Sequence, residues 1–352
     1  MDNFNEYIRQ GEPSKTERAI TWQTAIGLQK VDNLEVSEYL VDTARKHIEG
    51  DINLSDVRNL INSYYEKKGV KENLSREKEA DVVSIRITEL LSEKTFTFSP
   101  AGLISIHKYL FSDIYEFAGK LRDYNITKKE WVLDNDTVLY ASANDLLDTL
   151  EYDFSKEKKF DYSKCSISEA IEHVAKFISD IWQIHPFGEG NTRTTAVFLI
   201  KYLNTFGFSV NNDLFKEHSW YFRNALVRAN YTNIQKGISA TQHYLLMFFR
   251  NLILGEANLL KNREIHIYYN DENIQSAKID VSKCQNGTLE CTMEEVALLN
   301  ALKTDAKITQ VELAEKLGIS LRTLKRMTIS LQEKGYLARE GGRRNGFWKV
   351  LI

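Results

Sequence analysis

His185-Pro186-Phe187-Gly188-Glu189-Gly190-Asn191-Thr192-Arg193 places a base, a carboxylate, two glycines and a guanidinium between two helical patterns. Upstream, Ile171, Val174, Phe177, Ile178 and Ile181 recur at helical spacing within Ser168 to Gln183. Downstream, Val197, Phe198 and Ile200 do the same within Thr194 to Thr205. Pro186 disfavours helical geometry at His185 and ends the first helix there. Asn191 is suited to N-cap the second. The expected unit is helix, tight loop, helix. Long 3.6-residue patterns elsewhere, with prolines only at 13, 100 and 186, predict a mainly α protein.

Such a loop has the chemistry to hold a nucleotide's phosphates. Gly188 and Gly190 let backbone N–H groups approach an anion, and the following helix adds the positive end of its dipole. Arg193, in the first turn of that helix, can fork onto a phosphate oxygen. Glu189 supplies one carboxylate, and Mg²⁺ commonly takes one or two together with phosphate oxygens. His185 titrates near neutrality and so can take a proton from a hydroxyl attacking phosphorus. Phe187 reads as the apolar anchor of the loop. These residue types point to nucleotidyl or phosphoryl transfer by positioning and charge neutralisation.

The nine residues resemble the signature of the Fic family, His-Pro-Phe-x-(Asp/Glu)-Gly-Asn-x-Arg, at every specified position. The resemblance implies a Fic-type helical bundle with a β-hairpin flap, transferring AMP from ATP to a hydroxyl side chain of a target protein and to the enzyme itself. It implies His185 as the base, Glu189 as the Mg²⁺ ligand and Asn191 as a hydrogen-bond partner of the α-phosphate. The Gly188–Gly190 backbone and Thr192 fall within the implied nucleotide-binding stretch, and Arg193 is the implied counter-charge of the outer phosphates. Many members carry a second arginine three residues on, where this chain has Ala196. Arg223 or Arg228 is the nearest candidate to replace it, unless both are solvated helix residues. The transfer of another phosphate-containing group, or the removal of AMP, stays open.

Outward from the loop, the chain divides into an N-terminal helical module (1–70), a catalytic domain (71–255), a linker (256–285) and a C-terminal domain (286–352). The module is expected to hold helices over Thr16 to Gln29, Val36 to His47 and Leu54 to Lys67, with cap and stop signals at Gly50-Asp51, Asn53 and Ser55. It resembles the small antitoxin module that accompanies some Fic proteins, whose inhibitory helix carries Ser/Thr-x-x-x-Glu-Gly/Asn. The counterpart here is Leu28-x-x-x-Asp32-Asn33, and a weaker one is Arg45-x-x-x-Glu49-Gly50. With the hydroxyl lost and glutamate shortened to Asp32, the module is expected to inhibit weakly or by another route. A helical block is expected from about Lys71 to Phe117. Residues 121–140, rich in β-formers around Asp134-Asn135, are the implied flap, on which the target protein docks as an added strand. The linker is expected to hold a short hairpin through Glu264–Tyr269 and Gln275–Val281.

The C-terminal segment has helix-turn-helix grammar. Thr309 to Ser320 is followed by Leu321 to Gly335, with the Leu-Gly-Ile-Ser stretch making the turn and Ser320 capping the second helix. Leu324, Met327 and Leu331 form its inward stripe and leave Arg322, Lys325 and Arg326 outward. Two strands around a basic tip holding Arg343 and Arg344 complete what resembles a winged helix. From Lys303 onward eleven Lys/Arg face five Asp/Glu, a net +6, which leaves −9 to the rest of the chain. That asymmetry suits contacts to DNA phosphates by Arg322, Lys325, Arg326, Arg343 and Arg344, although winged helices also bind proteins.

Composition narrows the class without naming a partner. The 352 residues are 43% hydrophobic and 27% charged with a net charge of −3, ordinary for a multi-domain globular protein. Cys165, Cys284 and Cys291 have no metal-site spacing and form no even set, as in a reducing cytoplasm. The residues from Met1 to Gln10 carry Asp2, Glu6 and Arg9 and do not read as a signal peptide, and Tyr244 to Gly255 is too short to span a bilayer. A homo-oligomer is compatible with all of this. Two functions stand: a Mg²⁺- and ATP-dependent protein adenylyltransferase, or a DNA-binding regulator whose Fic domain only senses nucleotide. The intact His185, Glu189, Asn191 and Arg193 favour the enzyme.

Overall fold

The computed structural model describes residues 4–68, 72–208, 214–269, 290–341 and 346–352. Cys284, Arg343, Arg344 and the expected strand at 275–281 lie outside the described residues. The N-terminal module consists of α1 (Asn5–Gln10), α2 (Pro13–Gly27), α3 (Glu38–Glu49) and α4 (Leu54–Lys68). Its boundaries follow local chemistry. Pro13 starts α2 where its missing N–H costs nothing, Ser37 caps α3 by accepting from Leu40 N–H, and Gly50 ends α3 in the left-handed region at φ 93°. Asn53 rather than Ser55 caps α4, its Oδ1 accepting from Asp56 N–H at 3.0 Å. Trp22, Leu40, Ile48, Val57 and Ile61 are fully buried in a small core shared with Ile85 of α5 (Glu72–Ser92).

The helical pattern of α2 overruns its geometry. The α-helix stops at Gly27 and tightens into a 3-10 turn over Leu28–Asp32. A Cβ on Gly27 would sit 2.3 Å from Lys216 Cα, so only glycine lets this end of α2 abut α10 (Leu214–Ala229). Ser219 Oγ donates to Gly27 O at 2.8 Å and completes the joint. The 3-10 turn is thereby carried over the central helices.

The central helical bundle is built from α5, α6 (Pro100–Phe111), α7 (Leu146–Lys158), α8 (Ile167–Ile184), α9 (Asn191–Thr205), α10 and α11 (His243–Leu254). The helical block expected from about 71 to 117 is broken between Ser92 and Pro100, where Ser99 caps α6 and Lys201 Nζ takes the carbonyls of Leu90 and Glu93. Phe98 from that break enters an aromatic cluster, its centroid 4.7–5.9 Å from those of Phe154, Phe177, Phe198 and Tyr202. Each such pair adds roughly 0.5–1.5 kcal/mol to simple burial. The capping box Ser166–Glu169 starts α8, and eleven of its residues, Ile171, Val174, Ile178 and Trp182 among them, are buried.

Residues 121–140 turn back on themselves but form no β-ladder. A single antiparallel bridge joins Glu130 to Asp136 around a 3-10 turn at Trp131–Leu133, with Asp134 and Asn135 both left-handed. The expected β-hairpin is corrected accordingly: Val132 and Leu133 are buried instead of alternating along a strand. The expected linker also differs. Residues 262–265 form the helical turn α12 (Asn262–Ile265), not a strand, Ile265 is fully buried, and Ile267 N–H bonds Val132 O at 2.9 Å. The turn of the flap is therefore packed on this segment.

The C-terminal domain comprises α13 (Met293–Thr304), α14 (Gln310–Leu317), α15 (Leu321–Glu333), β1 (Leu337–Glu340) and β2 (Phe347–Val350). The strands pair antiparallel from Leu337↔Val350 to Glu340↔Phe347. Gly318 makes the left-handed turn and Ser320 Oγ accepts from Thr323 N–H at 3.1 Å. Leu324, Met327 and Leu331 are buried with Leu298, Leu313 and Trp348. The domain rests on the central helical bundle, where Asn300 Nδ2 donates to Ile253 O at 3.2 Å.

Candidate active site

His185 ends α8 in the left-handed region at φ 51°, a conformation that costs a non-glycine residue and needs external support. Arg122 provides it. Its Nε donates to His185 O at 2.8 Å, and other guanidinium nitrogens reach Ile184 O, Tyr124 O and Ala141 O. One buried arginine thus fixes the end of α8 and both arms of the flap. The His185 ring is 3% exposed, against Tyr140 at a centroid distance of 4.3 Å. Nδ1 lies 3.3 Å from Trp182 O and so carries the proton, which leaves Nε2 as a buried acceptor with no partner among the described residues. Burial, reinforced by the charges of Lys128, Arg223 and Arg122, holds the imidazole pKa well below its ordinary value. At neutral pH it is the unprotonated form that a base requires.

The loop that follows is shaped from within. Asn191 is the first residue of α9 and not its cap, correcting the N-cap expectation: left-handed Gly190, at φ 77°, occupies that position. The Asn191 side chain instead reaches back, accepting from Phe187 N–H at 3.0 Å and donating to Phe187 O at 2.8 Å. A Cβ on Gly190 would meet the Phe111 ring at 2.4 Å, so this glycine is demanded by the turn and by packing together. Gly188 faces Phe117 and the Tyr124 hydroxyl. Thr192 is buried and its hydroxyl accepts from Trp182 Nε1 at 3.0 Å. Phe187 stacks on His107 of α6 with centroids 3.7 Å apart. His107 Nδ1 accepts from Gly119 N–H at 2.9 Å, so Nε2–H donates to Glu189 O at 3.0 Å. The first N–H groups of α9 have no intrahelical acceptors, an arrangement suited to an anion.

The two charged ends of the loop have different neighbours. Arg193 is 1% exposed and enclosed by acids: Nε lies 2.7 Å from Asp32 Oδ2, an ion pair without hydrogen-bond alignment, and Nη2 donates to Glu79 Oε1 at 2.7 Å. Gln29 Oε1 accepts from Nη1 at 3.0 Å. Burial opposes its charge, but Asp32, Tyr115 and Glu79 outweigh burial and its pKa is raised. Asp32 therefore reaches the motif arginine itself; Ala196 offers it nothing. The weaker counterpart, Glu49, pairs with Lys15 at 2.7 Å inside the N-terminal module. Glu189 has a half-exposed carboxylate that meets Lys128 Nζ of the flap at 3.0 Å.

Neither candidate replacement for the second arginine is a solvated helix residue. Arg223 grips buried Glu130 of the flap through two bonds of 2.6 and 3.0 Å, and Arg228 is buried beside Ser239 O. His107, Arg122, Lys128, Gln29 and Glu79 carry no signal in the sequence. Their partners lie 61 to 164 residues away, so no local spacing announces them. On the C-terminal domain Arg322, Lys325 and Arg326 are exposed on α15 and form no ion pair among the described residues.

Comparisons with known proteins agree with the motif and the domain order. Residues 97–203 match the Fic/DOC family, and residues 295–338 match the winged helix-turn-helix DNA-binding family. The chain thus carries a Fic/DOC domain followed by a winged helix. Over 151 residues it is 26% identical to the protein adenylyltransferase VbhT of Bartonella schoenbuchensis, covering 42% of this chain and 30% of that protein. Over 127 residues it is 29% identical to the probable protein adenylyltransferase y4lH of Sinorhizobium fredii, covering 36% of this chain and 62% of that protein. The chain spans less than two thirds of the length of either relative. The crystal structure of a Fic family protein from Desulfovibrio desulfuricans G20 aligns over 99% of this chain and 92% of its own, at 13% identity and a TM-score of 0.44.

Proposed function

We propose that this chain is a protein adenylyltransferase that transfers AMP from ATP to hydroxyl side chains of a target protein and of itself. The observation that carries the reading is His185, neutral, with Nε2 unpartnered among the described residues at the mouth of the phosphate loop. In the proposed step the target hydroxyl attacks the α-phosphorus, its proton passes to His185 Nε2, and pyrophosphate leaves. The N–H groups of the loop and Asn191 bind the α-phosphate, and Arg193 the outer phosphates. Glu189 suits Mg²⁺: it is a lone, accessible carboxylate beside a phosphate cradle, already drawing a cation to itself. Mg²⁺ supplies charge neutralisation on the phosphates when bound. Exposed Tyr124, Trp131 and Leu139 of the flap suit docking of an extended target segment.

In this reading Asp32 keeps the enzyme closed by occupying Arg193, a route that uses the first arginine of the motif in place of the missing second. Intact-mass measurement with MgATP tests the proposal. The protein should gain one or more AMP units, more in Asp32→Ala and none in His185→Ala. A gain of phosphate alone would replace adenylyl by phosphoryl transfer at the same site, and no gain on any protein substrate would remove the enzyme reading.

The basic face of α15, without an ion pair among the described residues, favours a second role, binding DNA phosphates in a cytoplasmic setting. A mobility shift at low salt that is abolished in Arg322→Glu/Arg326→Glu supports it; no shift at low salt removes it.

A further inference from the structure

Among the described residues, Lys128 is the flap side chain that meets the motif's carboxylate, and nothing in the sequence motif calls for it. Its Nζ lies 3.0 Å from Glu189 Oε2, and its side chain is 22% exposed although the residue sits on a surface excursion. The flap presents it there. Lys128 N–H bonds Thr137 Oγ1 across the turn at 3.1 Å, Glu130 two residues on is clamped by Arg223, and Tyr124 O is held by Arg122. The neighbouring Lys129 is exposed. A flap pinned on both sides therefore aims one ammonium at the carboxylate beside the phosphate loop.

We infer that Lys128 is a tethered counter-ion of Glu189 that exchanges with a divalent cation, so that metal binding at Glu189 and release of the flap lysine are a single event. The inference rests on the reading of Glu189 as the metal ligand. A divalent cation and an ammonium repel each other strongly at contact distance around one carboxylate, so the two cations are alternatives. The pair is partly exposed and worth little, which makes exchange easy. Reciprocity follows: whatever draws the flap lysine away favours the metal, and the metal loosens the flap by the same free energy. A target segment that engages the flap would in this way raise metal occupancy before chemistry.

The experiment uses the full chain and ADP, which keeps the α- and β-phosphates and lacks the pyrophosphate leaving group. Calorimetry gives ADP affinity with saturating Mn²⁺ and with EDTA, and the ratio measures the metal's contribution. Lys128→Met should raise that ratio about threefold to tenfold, while Lys129→Met changes it less than about twofold, as expected for an ion pair against a screened charge. Glu189→Gln should lower the ratio both alone and when combined with Lys128→Met. An unchanged ratio in Lys128→Met, with Glu189→Gln still effective, overturns the counter-ion and leaves the metal site standing. A ratio indifferent to Glu189→Gln overturns both. Acetylation of lysines in the unmutated protein, read by mass spectrometry, is independent of variant folding. Mn²⁺, with or without ADP, should raise labelling of Lys128 relative to Lys129, and labelling unaffected by Mn²⁺ overturns the exchange.

Discussion

Glu189 on the loop and Arg193 in the first turn of α9 stand four residues apart, yet they live in different dielectric surroundings. Arg193 is 1% exposed with Asp32, Glu79 and Gln29 around it; the Glu189 side chain is 53% exposed with Lys128 as its counter-charge. A buried charge is held by the partners that offset its desolvation, and losing one of them leaves an unscreened charge behind. An exposed carboxylate can trade one cation for another at little cost. In the proposed reading the difference gives the two ends separate jobs: the buried cation would fix the resting state through the N-terminal module, and the exposed anion would exchange with solvent ions.

Breaking the buried side should have the largest effect. Arg193→Met leaves Asp32 and Glu79 facing each other without a cation, and unfolding free energy from urea titration should fall by about 4 kcal/mol. Adding Asp32→Asn and Glu79→Gln to Arg193→Met should recover much of that loss, because the uncompensated charges are then gone. A loss below about 1 kcal/mol for Arg193→Met would show that water reaches the pocket and that the two ends are alike.

The second prediction concerns His107, which braces Glu189 O from α6. Burial, against the opposing bond to Glu189 O, pushes the His107 pKa down to about 4. A depressed folded pKa means that the unfolded chain binds the proton more tightly. Stability is therefore full above the ordinary 6.5 and is lost as pH falls towards 4. His47 of the N-terminal module, lowered to about 4 chiefly by burial and also by Arg18, acts with the same sign. His107→Gln, which can still donate to Glu189 O, should flatten the fall between pH 6.5 and 4.5 by roughly 2 kcal/mol. An unchanged slope would assign the acid sensitivity to the other buried histidines, His47 and His185 among them.

These residues also mark what the sequence can and cannot convey. The loop and the helices on both sides of it are legible because cap residues, Pro186 and apolar spacing are local signals. The winged helix is legible for the same reason, down to the inward Leu324, Met327 and Leu331. The flap reads falsely as a strand pair because β-formers at 132, 133 and 138 are buried by tertiary contacts, and not by pairing across a ladder. Asn191 reads falsely as a cap because Gly190 takes that position and frees its amide to brace Phe187. Asp32 is legible as a position, but its partner Arg193 is not. That contact depends on α2 ending at Gly27, where a missing Cβ lets the 3-10 turn close over α9, and no periodicity encodes that.

Releasing the clamp without emptying the pocket is a smaller perturbation. Asp32→Asn keeps the shape of the side chain, removes its charge and leaves Glu79 and Gln29 on Arg193. Automodification should rise about tenfold, equivalent to roughly 1.4 kcal/mol, because Arg193 is only partly freed. Asp32→Asn/Glu79→Gln should raise it further. A rise far above tenfold in the single variant would make Asp32 the sole latch, and no rise would mean that Arg193 neutralisation does not limit the reaction.

The smallest effect is expected on the exposed side, and it is the one that tests the comparison itself. Lys128→Met removes the cation from Glu189 yet leaves that carboxylate in contact with water, so no buried charge is stranded. The loss in unfolding free energy should stay below about 1 kcal/mol and shrink further in 1 M salt, where charges separated by more than about 3 Å are screened. Arg193→Met, measured in the same salt, should keep most of its effect because ions do not enter its enclosure. If Lys128→Met proved as costly as Arg193→Met and equally indifferent to salt, Glu189 would be a structural anchor of the flap. The loop would then have no exchangeable end.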